Sequence, residues 1–199
     1  MVKPGSRIGI MGGSFDPVHT GHLIVAENAR EEFCLEKVLF IPAGIPPHKK
    51  VFFAGAGERL EMLRMATGDN PFFEVSNIET GRMGPSYTYD TVIHIEKEYP
   101  GSGIYLIVGE DAFSEISTWH EYKLLIQRVV FLIAPRKIGR PLILPGEDIR
   151  YHYIGSPLVE ISSTYLRNCF SSGKTVKYMI PDTVEEYIRR NGIYGFERA

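Results

Sequence analysis

Cysteine is nearly absent from this sequence: its 199 residues hold two, Cys34 and Cys169. Two cysteines cannot build a disulfide framework, and neither stands at metal-ligand spacing, so a reducing cytoplasm is the expected compartment. No apolar run reaches the length of a membrane-crossing helix. The N-terminus meets charged and turn residues too early for a secretory signal, so none is expected. Excess charge is lacking too: 22 Lys and Arg stand against 24 Asp and Glu, a formal charge of −2. That balance argues against a chain that wraps nucleic acid or coats an anionic membrane. Repeats and low-complexity stretches are absent as well.

What remains is the composition of a soluble globular protein, 44% apolar and 23% charged. The length sits near the upper end of one domain and suffices for an unaided core. A single domain spanning residues 1–199 is expected, with small-molecule partners, no nucleic acid and no membrane; a homo-oligomer is left open. Short apolar runs alternate with amphipathic stretches, the pattern of βα units on an open, mostly parallel sheet with helices on both faces. Strands are expected at Arg7–Met11, Lys37–Ile41, Phe72–Val75, Ile104–Val108, Arg128–Ala134 and Tyr151–Ile154. The apolar spacing predicts helices from near His19, and over Glu58–Ala66, Tyr87–Tyr99, Ser162–Phe170 and Pro181–Asn191.

The unusual residues follow the strands. Gly12-Gly13-Ser14-Phe15-Asp16-Pro17 comes after the first, Pro46-Pro47-His48-Lys49 after the second, Gly109-Glu110-Asp111 after the fourth and Arg136 after the fifth. In a parallel sheet these carboxyl ends share one edge, where ligands bind. Two glycines let the first turn bring its N–H groups against an anion. His19 and His22, three apart at a helix start, lie on one face of its first turn, where free N–H groups and the dipole favour phosphate. A zinc site would need a third ligand, and none is evident. The blander alternative, a capped helix start with a core histidine, leaves two histidines beside four turn-formers unexplained. Ser171-Ser172-Gly173-Lys174-Thr175 ends like a Walker loop, but Asn168 stands where its first glycine belongs, and a helix precedes it rather than a strand. It reads as a helix end with Gly173 as cap.

GGSFDPVHTGHL resembles the H-x-G-H motif of the nucleotidylyltransferase superfamily, a Rossmann-like group. Ile161-Ser162-Ser163-Thr164-Tyr165-Leu166-Arg167 is similar to that superfamily's second element, I-S-S-T-x-[IL]-R. Pro46–Lys49, Ser86–Thr91, Gly109–Asp111 and Trp119-His120 are similar to elements of the bacterial-type nicotinate mononucleotide adenylyltransferases. The similarity runs from about Arg7 to Tyr194. Two departures are mild: Leu166 replaces the commoner Ile, and Lys137-Ile138-Gly139 follows Arg136 where the family often has Pro-Gly.

The resemblance implies adenylyl transfer from ATP to nicotinate mononucleotide, giving deamido-NAD and pyrophosphate, with Mg²⁺ carried on ATP. It implies His19, His22 and Arg167 as catalytic residues. ATP would meet these together with Gly12, Gly13, Ser14, Phe15, Asp111, Ser162, Ser163 and Thr164. The mononucleotide would meet Lys49 through its phosphate, Ser86, Tyr87 and Thr88 through its carboxylate, Trp119 by stacking, and Gly109 and Arg136. Two other readings stay open. One keeps the chemistry and changes the acceptor to nicotinamide mononucleotide or pantetheine phosphate; the other is a non-catalytic nucleotide sensor.

Overall fold

The computed structural model describes residues 5–45, 52–135 and 148–195. Its strands are β1 (Arg7–Gly13), β2 (Lys37–Pro42), β3 (Phe73–Val75), β4 (Gly103–Gly109), β5 (Val129–Ala134) and β6 (Tyr151–Tyr153). They form one sheet in the order β3-β2-β1-β4-β5-β6. Every described pairing is parallel, with Ile10 opposite Leu39 on one side of β1 and Leu106 on the other. The helices are α1 (Thr20–Glu32), α2 (Ala56–Thr67), α3 (Thr88–Glu98), α4 (Glu110–Ser114), α5 (Tyr122–Arg128), α6 (Ser163–Ser171) and α7 (Asp182–Asn191). None among the described residues is long and apolar enough to cross a membrane.

Alternation along the strands divides the apolar residues between two cores. Ile8, Ile10, Leu39, Ile41, Leu106 and Phe131 enter one, under α3, α4 and α5. Met11, Val38, Phe40, Ile107 and Leu132, on the opposite face, enter the other, under α1, α2, α6 and α7. Because both faces are buried, the strands read as near-continuous apolar runs. Gly192 ends α7 at φ 64°, a left-handed position that suits glycine. Helices α4 and α5 go beyond the sequence expectation. The N-cap of α5, Glu121, lies at φ 52° without a capping side chain, and its Leu125 and Ile126 run almost directly into β5.

The order of strands positions the site. The chain winds outward from β1 through β2 to β3, then returns to lay β4 on the other side of β1. The helices that follow β1 and β4 therefore leave in opposite directions, and a crevice opens between the two strand ends.

Candidate functional site

Gly12 and Gly13 from β1, Ile41 from β2, Val108 and Gly109 from β4 and Ala134 from β5 line one cavity of about 1810 Å³. Ser14, His19, His22, Asp111, Ser162, Ser86, Tyr87, Thr88 and Trp119 share it. Lys49 and Arg136 lie outside the described residues.

His19 is the N-cap of α1, only 7% exposed, and its backbone N–H donates to Nδ1 of His22 at 3.2 Å. A neutral imidazole that accepts at Nδ1 carries its proton on Nε2. The two rings stack with centroids 3.7 Å apart. Phe15 sits against His22 at 5.0 Å and Phe40 at 5.9 Å between centroids. Its side chain belongs to the core, so its backbone is what it can offer a phosphate. That backbone stands at φ 46°, a conformation costing a non-glycine residue about 1–3 kcal/mol, and one that persists where packing over-determines it.

A buried junction backs the turn. Asp16 is fully buried, and its carboxylate accepts from the Phe53 N–H at 2.9 Å, the Ala54 N–H at 3.0 Å and the Tyr194 hydroxyl at 2.8 Å. Burial and the adjacent carboxylate push the Tyr194 phenol far above its ordinary pKa. Arg59 of α2 donates to the Ser14 carbonyl at 3.0 Å. Arg167 donates to the Asp16 carbonyl at 2.7 Å and to Thr164 Oγ1 at 3.0 Å. Ser163 Oγ donates to the Pro17 carbonyl at 2.8 Å.

These bonds bring the start of α6 against the glycine turn, although only Ser162 of that group lines the large crevice. Ser162 also caps α6, accepting from the Tyr165 N–H at 3.2 Å. Thr164 and Arg167 line a smaller cavity of about 330 Å³ with Phe53 and Tyr194. The sequence placed all four on one polyphosphate; the structure gives Ser163 and Arg167 bonds to the turn's backbone.

At the far end Ser86, Tyr87 and Thr88 lead into α3, and the Ser86 N–H donates to the Ile45 carbonyl at 2.9 Å. The Ser86 hydroxyl is buried and has no hydrogen-bond partner among the described residues. Trp119 divides its surface between the crevice and the core. Tyr87 and His120 face each other at 4.2 Å between centroids.

Glu79, which the sequence reading missed, also lines this end. It accepts from Thr91 Oγ1 at 2.8 Å and from the Gly44 N–H, while burial pushes its pKa up. The run Ser86–Tyr89 carries no acid, but the fold supplies one from another segment. Asp16, Arg59 and Tyr194 were missed as well. For Arg59 a signal existed: with Met62, Leu63 and Ala66 it falls at i, i+3, i+4 and i+7, the register of a buried helix face.

Residues 10–169 match the model of the cytidylyltransferase-like family. The chain is 45% identical over 204 residues to a probable nicotinate-nucleotide adenylyltransferase of Moorella thermoacetica, covering 98% of this chain and 94% of that one. A probable nicotinate-nucleotide adenylyltransferase of Thermus thermophilus is 41% identical over 188 residues, covering 94% and 99%. Among solved structures, the Plasmodium falciparum nicotinic acid mononucleotide adenylyltransferase complexed with NaAD superposes with a TM-score of 0.79 at 20% identity, covering 96% of this chain and 98% of that one. At that identity the likeness is one of fold.

Proposed function

We propose, since the chain belongs to the cytidylyltransferase-like family, that it transfers the adenylyl group of ATP to nicotinate mononucleotide as a single-domain cytoplasmic enzyme of NAD biosynthesis. The products are deamido-NAD and pyrophosphate. The observation that carries this reading is the shared crevice, in which the stacked His19–His22 pair and the glycine turn face Ser86–Thr88 and Trp119 across the end of the sheet.

A phosphate oxygen of the mononucleotide attacks the α-phosphorus, a new P–O bond forms, and the bond to the β-phosphate oxygen breaks in line. The nucleophile is already ionised at neutral pH, so no general base is needed. Alignment of the two polyanions accounts for roughly 7–11 kcal/mol of barrier lowering. A donor aimed at charge on the transferring group adds about 2.7–4 kcal/mol. His22 Nε2–H serves the α-phosphate, the Gly12–Phe15 backbone brackets both phosphates, and His19 stands beside those of ATP. Ser162 meets the β/γ end from the α6 side; Thr164 and Arg167, which line the neighbouring smaller cavity with Arg167 on the Asp16 carbonyl, reach it only by leaving those bonds, and Asp111 meets polar groups of the nucleotide. Lys49 neutralises the acceptor's phosphate, and Gly109 and Arg136 border the acceptor. Its pyridine ring stacks on Trp119, and its carboxylate takes the Ser86 hydroxyl and the N–H groups at the start of α3.

Mg²⁺ would arrive on ATP with phosphate and water ligands. Bound with ATP, the ion would supply charge neutralisation on the leaving pyrophosphate.

The test supplies the purified protein with Mg-ATP and each of nicotinate mononucleotide, nicotinamide mononucleotide and pantetheine phosphate, and follows pyrophosphate and coupled product. Deamido-NAD forms in equal amount with pyrophosphate, and the acid outpaces the other two acceptors. Equal or better turnover of the amide or of pantetheine phosphate would reassign the acceptor.

A further inference from the structure

Arg59 heads the fully buried side chains by volume, at 1% exposure. Taking a guanidinium out of water costs several kcal/mol, and an ion pair is the usual compensation. Here the buried Asp16 carboxylate supplies part of the compensation, Nη1 donates to the carbonyl of Ser14, and Nε is buried with no hydrogen-bond partner among the described residues. The face of Phe52 lies 3.8 Å from the guanidinium carbon. A buried cation spent on a carbonyl of the glycine turn calls for a reason in that turn.

The reason lies in the peptide that follows. The cis bond of this stretch is Asp16–Pro17; Ser14–Phe15 is trans. In a trans peptide the carbonyl and the N–H point opposite ways. With its carbonyl held on Arg59, the Ser14–Phe15 peptide turns the Phe15 N–H the opposite way, away from Arg59, next to Ser14, which lines the crevice although Phe15 does not. Phe15 stands at φ 46°. A flip of this peptide would rotate φ by about half a turn and take Phe15 out of the positive-φ region that L residues rarely adopt. The same flip would put a carbonyl where an anion needs a donor.

We propose that Arg59 is a positioning residue that holds the Ser14–Phe15 peptide against this flip, so that the Phe15 N–H faces the phosphates. The proposal rests on the reading of the crevice as the site of adenylyl transfer. Arg59 touches no substrate; it acts through one peptide group.

Two measurements test it. Arg59→Met keeps the bulk and removes the donor, which leaves the Ser14 carbonyl without its partner at a cost of about 1–3 kcal/mol. The expected variant folds with a lowered thermal midpoint, loses about a hundredfold or more in kcat, and keeps both KM values within about threefold. Arg59→Lys, which can still donate to the carbonyl, recovers part of the loss. A lowered midpoint with kcat unchanged would make Arg59 merely structural and overturn the proposal. The second measurement uses the unaltered protein: ATP moves the Phe15 amide proton downfield in ¹⁵N–¹H spectra. An unmoved Phe15 amide in protein that binds ATP overturns the proposal whether or not the variants fold. Failure of the unaltered protein to form dinucleotide would instead defeat the functional reading, and the Phe15 shift, read on ATP binding alone, still decides the peptide's orientation.

Discussion

Replacing Tyr194 by Phe removes one oxygen from the junction behind the glycine turn. The hydroxyl donates to Asp16 Oδ1 at 2.8 Å, across 178 residues of sequence, and Asp16 is fully buried. The ring itself keeps its neighbour Phe170, 5.9 Å away between centroids, so the change leaves almost no cavity. What is lost is a hydrogen bond to a buried charged acceptor, worth about 1.5–3 kcal/mol. A loss near 2 kcal/mol lowers the folded-to-unfolded ratio about 30-fold. For a chain of this size it lowers the thermal midpoint by about 4–8 °C. Urea unfolding followed by Trp119 fluorescence and far-ultraviolet dichroism reads it, with m unchanged if only the folded state is affected. The phenol's pKa lies far above its ordinary value, so the loss is the same at pH 6 and pH 9. Asp16→Asn closes a double-mutant cycle, and a coupling of about 1 kcal/mol or more is expected. A Tyr194→Phe effect below about 0.5 kcal/mol, the level of an ordinary surface substitution, would refute the junction.

Two further predictions concern the acceptor end. Burial raises the pKa of Glu79 above its ordinary 4.5, so the folded state holds this proton more tightly than the unfolded one. The associated stability is fully present below pH 4.5 and is lost as pH rises through the raised value. Glu79→Gln, which cannot ionise, should gain on the native protein in urea midpoint as pH climbs from 4.5 to 7.5; a pH-independent difference would contradict this. Gly44 has no room for a side chain, since a Cβ would lie 2.6 Å from Ser86 Oγ and closer still to the Glu79 carbonyl. Gly44→Ala should cost about 1–3 kcal/mol and raise KM for the acceptor more than for ATP. Equal changes in the two KM values would separate Gly44 from the acceptor pocket.

The inner strands β2, β4 and β5 were legible because burial on both faces leaves little in them but Ile, Leu, Val and Phe, and the turn residues fall at their ends; the edge strands β3 and β6, with no buried residue, carry a weaker pattern. The chemistry was legible where residue type and spacing coincide, as in His19 and His22 on the first turn of α1. Partners remote in sequence were not. Nothing near Asp16 announces Tyr194, and Glu79 lies in a stretch without periodicity. Arg59 went unread in the helix over Glu58–Ala66, although its register with Met62 and Leu63 is that of the buried side. Arg167 shows a further limit: sequence places it one turn after Ser163, but not that its guanidinium grips the Asp16 carbonyl.

Replacement of His22 by Ala bears most directly on the claim that this crevice stabilises a transferring phosphoryl group. Single-turnover formation of deamido-NAD, measured beside ATP binding on the same preparation, should fall by about a hundredfold or more while ATP affinity changes far less. Parallel losses in turnover and ATP affinity would contradict it and leave a crevice that only holds the nucleotide.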